Sequence, residues 1–101
     1  TQHNDSMESL AVAAIFGCHT PCTSTKPLTG HTLGAAGAIE AVYSIFSLLH
    51  QEVYPNLHFK NVIPSTSLTP VEACTKMPVN HVMSNSFGFG GNCSSLIFSK
   101  A

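Results

Sequence analysis

The chain has 101 residues, of which 44% are hydrophobic and only 9% charged, with a formal net charge of −1. That is enough for one small domain with a core, and far short of the roughly one quarter of charged residues in typical soluble proteins. Four lysines, no arginine and five acids exclude a protein that works by neutralising nucleic-acid phosphates, and the scarcity of charge excludes a solvated disordered chain.

Residues 5 to 16 read as a helix, with Asp5 as the cap, Glu8 as its reciprocal partner three positions on, and Leu10, Ala13, Ala14 and Gly17 on one face. Gly17 is the expected stop. Pro21 to Thr25 reads as a strand or strand-like connection, and Pro27 is expected to break regular structure. Thr29-Gly30-His31 reads as a turn into a second helix over 32 to 50. The first half of that helix is Gly34, Ala35, Ala36, Gly37, Ala38 and Ala41, so another backbone is expected to approach closely; Val42, Ile45, Phe46 and Leu49 are the expected core side chains. Residues 51 to 80, with Pro55, Pro64, Pro70 and Pro78, read as a meandering surface segment. Val82 to Ser86 and Ser94 to Ser99 read as two strands, joined through the tight turn Phe87-Gly88-Phe89-Gly90-Gly91.

So little charge leaves too little polar surface for a free-standing monomer. With Thr1 rather than Met at the start, the expectation is that residues 1–101 are one piece of a larger protein. Cys18, Cys22, Cys74 and Cys93 are irregularly spaced and follow no leader pattern, so buried thiols are expected rather than disulfides. Cys18, His19 and Cys22 lack the second ligand cluster a zinc site needs, and no metal is expected. The most apolar stretch, Leu33 to Leu49, has Glu40 at its centre and reads as a buried helix of a soluble protein rather than a membrane span.

Two constellations can carry chemistry. Ser24-Thr25-Lys26-Pro27-Leu28-Thr29-Gly30-His31 places a cation and an imidazole on a loop beside a helix start, where a neutral imidazole could donate one N–H to a developing oxyanion. The glycines of residues 87–91 could let backbone N–H groups point into a cavity, as an oxyanion hole requires. Each alone reads first as a structural turn.

Taken together, Ser24-Thr25-Lys26-x-x-Thr29-Gly30-His31-x-x-Gly34-Ala35-Ala36-Gly37-Ala38-x-Glu40-Ala41 followed by Ser84-Asn85-Ser86-Phe87-Gly88-Phe89-Gly90-Gly91 resembles the C-terminal part of β-ketoacyl-acyl carrier protein synthases. These are the decarboxylating condensing enzymes of fatty-acid and polyketide synthesis. Asn4-Asp5-x-x-Glu8 resembles the end of a further segment of that family. The resemblance implies an α/β, thiolase-like fold: the C-terminal half of a ketosynthase domain, with packed helices and a mixed five-stranded β-sheet. It implies that His31 is the second catalytic histidine, stabilising the enolate left when carbon dioxide leaves a malonyl thioester. It implies that Lys26 organises a polar network with Asp5 and Glu8, and that Phe89 supplies an oxyanion-hole N–H and gates the acyl pocket. No cofactor is implied, since the substrates ride on the phosphopantetheine of acyl carrier protein. The implied partners are that carrier protein, the N-terminal half of the same enzyme, and a second subunit in a homodimer or ketosynthase heterodimer. The implied compartment is the cytoplasm, with no nucleic acid and no membrane.

The departures are also expectations. The family's nucleophilic cysteine and first catalytic histidine lie upstream of Thr1, so the fragment alone is expected to be inactive. His3 does not match that histidine. Gly91-Asn92-Cys93 stands where the family often reads Gly-Gly-Thr-Asn, which implies a divergent subgroup, such as one making polyene or other specialised acyl chains. A non-catalytic partner subunit like the chain-length factors shares the fold, but has no need of Lys26 and His31. A thiolase would carry a second cysteine signature instead. A small independent binding module is the remaining alternative.

Overall fold

In the computed structural model, residues 2–57, 68, 70–88 and 90–101 are described. Helix α1 spans Gln2–Phe16, beginning upstream of the expected start. Asp5 therefore lies in the first turn, where a negative charge suits the helix dipole, and it does not cap the helix. Glu8 does not reach back to a cap either; its Oε2 accepts from Asn4 Nδ2 at 3.4 Å. Gly17 ends the helix as expected, at φ +84°, with its N–H on the Ala13 carbonyl at 3.0 Å.

The expected strand at Pro21–Thr25 does not form. Two long-range links tie this segment to the described chain after α3, from Val71 N–H to the Cys22 carbonyl at 2.9 Å and from Ser24 N–H to Asn56 Oδ1 at 3.1 Å. Pro27 does not break regular structure: it sits in the first turn of a short helix α2, Lys26–Thr29, where its missing N–H costs nothing. Gly30, at φ +75°, closes that turn onto the Lys26 carbonyl.

The second long helix is split. A 3₁₀ turn, Leu33–Ala35, leads into α3, Ala36–His50. Its buried side chains are Ser44, Ser47 and Leu48. Val42, Ile45, Phe46 and Leu49, expected in the core, are 42 to 70% exposed. The face turned to the sheet is instead the small one: a Cβ on Gly37 would stand 3.7 Å from Ser86 Oγ. Gly34 has nothing within 4 Å of a built Cβ, so the close approach involves Gly37 alone of the two. Ser44 meets its burial by donating its hydroxyl to the Glu40 carbonyl at 2.8 Å. By length and composition, Leu33–His50 could cross a membrane. Glu40 at its middle is ion-paired to Lys26, and one face of α3 packs on residues 81–87.

Strands β1 (Glu52–Val53) and β2 (Thr75–Lys76) pair antiparallel, and β3 (His81–Phe87) pairs antiparallel with β4 (Cys93–Ser99) in the register Asn85↔Ser95. The mixed five-stranded sheet is thus corrected, among the described residues, to two separate antiparallel pairs. A parallel neighbour needs a crossover connection, and none of the described connections makes one. Gly90 and Gly91 take φ +86° and +89° in the turn between β3 and β4, as a tight glycine turn requires. Helix α3 covers one face of β3. The apolar core of the described residues is small: Leu48, Leu68 and Val79. Cys18, Cys74 and Cys93 are exposed and Cys22 half-buried, not the buried thiols expected, and none forms a disulfide.

Candidate functional site

Four elements converge on one polar cluster. Helix α1 contributes Glu8, α2 contributes Lys26, α3 contributes Glu40 and β3 contributes Asn85. Lys26 opens α2, and its ammonium stands 3.7 Å from Glu40 Oε1. Its backbone N–H donates to Ser24 Oγ at 3.3 Å, which ties the loop to the start of the helix. Glu8 is half-buried, and its Oε2 accepts from Asn4 Nδ2. Burial pushes the Glu8 carboxyl above its ordinary range, against the opposing pull of Asn85, Asn4 and the Lys26 charge. The neighbouring Asp5 charge adds to the rise. Asp5, Glu8 and Lys26, singled out from sequence, are therefore brought together. Glu40 and Asn85 complete the cluster and were quoted only as parts of motifs. A lone charge in an apolar helix was the signal available for Glu40.

His31 is exposed, in the turn before the 3₁₀ segment. Its Nδ1 accepts the Leu33 N–H at 3.0 Å. A nitrogen that accepts carries no proton, so the ring proton is left on Nε2. Leu33 takes φ +52° to make this bond, a left-handed conformation that costs a leucine on the order of 1–2 kcal/mol. The structure thus holds strain at the residue that fixes the imidazole.

A shallow hollow between α2 and α3 is lined by Lys26, Thr29, Gly30, Thr32, Ile39 and Glu40 among others. A larger one of about 350 Å³, lined by Cys18, His19, Val53, Val71 and Met77 among others, lies apart from the polar cluster. His31 lines neither. Phe89 lies outside the described residues. Beside it, Gly88 N–H turns onto the Asn92 carbonyl at 2.6 Å. Among the described residues, no three His, Cys, Asp or Glu side chains stand together as metal ligands would.

A family model described as the β-ketoacyl synthase C-terminal domain matches residues 1–60, which hold Asp5, Glu8, Lys26, His31 and Glu40. The chain belongs to this family. Similarity to curated β-ketoacyl synthases runs on through the 84–91 motif. The chain is 41% identical over 107 residues to a mitochondrial 3-oxoacyl-[acyl-carrier-protein] synthase of Arabidopsis thaliana, covering 99% of this chain and 23% of that protein. It is 39% identical over 102 residues to 3-oxoacyl-[acyl-carrier-protein] synthase 1 of Escherichia coli K12, and 39% over 105 residues to synthase 2 of Staphylococcus aureus COL. Both of these cover 99% of this chain and 25% of the relative. The chain thus spans about a quarter of the length of the curated relatives it matches. Within this synthase domain, burial raises the Cys22 thiol above its ordinary range, with the Glu8 charge adding to it, and at exposed Cys74 local desolvation beside the Glu52 carboxylate also raises the thiol. Both are poor thiolate nucleophiles for that reason.

Proposed function

We propose that this chain is the C-terminal portion of a 3-oxoacyl-acyl carrier protein synthase that condenses malonyl-acyl carrier protein with an acyl thioester by decarboxylation, in fatty-acid or polyketide and polyene synthesis. Carbon dioxide leaves the malonyl group, and the electron pair of the broken bond spreads onto the thioester oxygen. His31 Nε2–H donates to that oxygen as it becomes anionic, an interaction stronger in the transition state than in the ground state. The enolate carbon then attacks the acyl thioester on the cysteine expected upstream. A carbon–carbon bond forms, the carbon–sulfur bond breaks, and the thiolate returns. Lys26, held by Glu40 and faced by Glu8, supplies fixed positive charge to the polar network and is not a nucleophile. Phe89 would add its N–H to the oxyanion hole and its ring to the acyl gate.

The observation that carries this reading is the Leu33 N–H on His31 Nδ1, because it leaves Nε2 as the donor the chemistry needs. No resident cofactor is proposed, since phosphopantetheine on the carrier protein brings the substrates. The remaining three quarters of a relative's length would supply the N-terminal half of a thiolase-like fold, and with it the further strands of a mixed sheet. A homodimer or ketosynthase heterodimer in the cytoplasm is the proposed assembly and place. Substituting His31→Ala in the full-length protein should lower condensation by about a hundredfold or more. Near-normal turnover with malonyl-acyl carrier protein would remove the role given to His31. The 101 residues alone should release no carbon dioxide from a malonyl thioester.

A further inference from the structure

The loop that leads into Lys26 has no ladder to hold it. Residues 21–25 lie in neither helix nor strand, and α2 is a single turn whose N-cap residue, Thr25, makes no side-chain cap. The ion pair does not fix Lys26 from its far end. At 3.7 Å from Glu40 Oε1, with its side chain 45% exposed, the ammonium stands beyond charge-assisted hydrogen-bond length and holds the backbone weakly. What holds the loop is a ring of hydrogen bonds that closes through residue 56. Val71 N–H donates to the Cys22 carbonyl at 2.9 Å, Asn56 N–H donates to the Val71 carbonyl at 2.6 Å, and Asn56 Oδ1 accepts the Ser24 N–H at 3.1 Å. Ser24 Oγ then accepts the Lys26 N–H at 3.3 Å, at the first residue of α2.

Of the links in this ring, the one from Ser24 to Asn56 alone is made by a side chain; the others run from backbone to backbone. An amide accepts only at its oxygen, so the Ser24 N–H sets which end of the half-buried Asn56 side chain faces the loop. We propose that Asn56 is a positioning residue for the condensing reaction: its side-chain carbonyl anchors the 22–24 segment, through which the backbone of Lys26 is set beside Glu40. The proposal rests on the reading that Lys26 belongs to the active-site network of a condensing enzyme. Asn56 acts through Ser24 and Lys26 rather than on substrate. Without Oδ1, the Ser24 N–H at this exposed position turns to water, so the anchor is lost at little cost to the fold.

The test is carbon dioxide release from malonyl-acyl carrier protein by the full-length protein, with kcat and KM read separately. Asn56→Ala should lower kcat by about tenfold, the equivalent of one hydrogen bond, and leave KM within about twofold. Asn56→Asp, which keeps an acceptor oxygen in place, should restore most of kcat. Ser24→Ala, at an exposed position, removes the next link and should lower kcat in the same direction. With Lys26→Ala already in place, Asn56→Ala should add no further loss, because the path ends at Lys26. A kcat unmoved by Asn56→Ala and by Ser24→Ala, while Lys26→Ala lowers it, overturns the proposal alone. So does a loss from Asn56→Ala that is as large with Lys26 already replaced, or that Asn56→Asp does not relieve, since Asn56 would then only support the fold. A kcat indifferent to Lys26→Ala overturns the active-site reading of Lys26 and this proposal with it.

Discussion

Glu8 and Glu52 are the same side chain displaced in opposite directions. Glu52 is half-buried at the start of β1, and the Lys76 ammonium at 2.9 Å holds its carboxyl below the ordinary range. Glu8 has a cation nearby too, but burial outweighs it and the carboxyl is raised. A carboxyl raised on folding adds stability below its unfolded value near 4.5, and that contribution is lost as pH climbs through the folded value. Near neutrality the charged, half-buried Glu8 is therefore a liability to the fold. Glu8→Gln, which keeps the shape without the charge, should melt at the same or higher temperature than wild type at pH 7. The difference should shrink as the pH is lowered through the raised carboxyl, and a thermal melt at several pH values reads it. Lys26, His31, Asp5 and Glu8 were legible from sequence because the motif fixes their spacing. Asn85 was not, because its partner is Ser95 across the β3–β4 ladder, and no local pattern encodes which residue a strand will meet on its neighbour.

The helices and strands were largely legible, and the errors share a cause. Large side chains were taken to mark the inner face of α3. Its inner face is Gly37, Ser44, Ser47 and Leu48, while Val42, Ile45, Phe46 and Leu49 turn outward. Periodicity identifies a helix but does not say which stripe meets which neighbour when the neighbour needs close approach. Residues 51–80 read as surface meander, yet the β1–β2 pair forms there, and part of the segment lies outside the described residues. The end of α3 shows what composition hid. Gln51 sits in the left-handed region at φ +54°, and its side-chain amide clasps the backbone ahead of β3. Its Oε1 accepts the Val79 N–H at 2.9 Å, and its Nε2 donates to the Val79 and Leu48 carbonyls at 2.8 and 2.6 Å. Val79 is one of the few buried apolar residues, so Gln51→Ala leaves buried backbone groups without partners. The cost should be about 2 kcal/mol or more in denaturant unfolding. Gln51→Glu, which keeps an acceptor but loses the donor, should cost most of the same.

Fourteen large apolar side chains are exposed among the described residues, from Met7 and Phe16 on α1 through Ile45 and Leu49 on α3 to Leu96 and Ile97 on β4. Only Leu48, Leu68 and Val79 are apolar and buried. Exposed apolar area on this extent marks contact surfaces rather than a finished exterior. The 9% of charged residues cannot screen it. Both observations fit a chain covering about a quarter of its relatives' length, whose outward α3 face and β4 would be covered by the rest of the longer protein. The 101 residues expressed alone should then self-associate at micromolar concentration and bind a hydrophobic dye strongly, with sedimentation velocity showing species well above the monomer mass. The full-length protein should bind little dye under the same conditions. A sharp, dye-silent monomer of the isolated chain would instead mean that the small core suffices. The reading as an independent binding module would then displace that of a synthase segment completed by its neighbours.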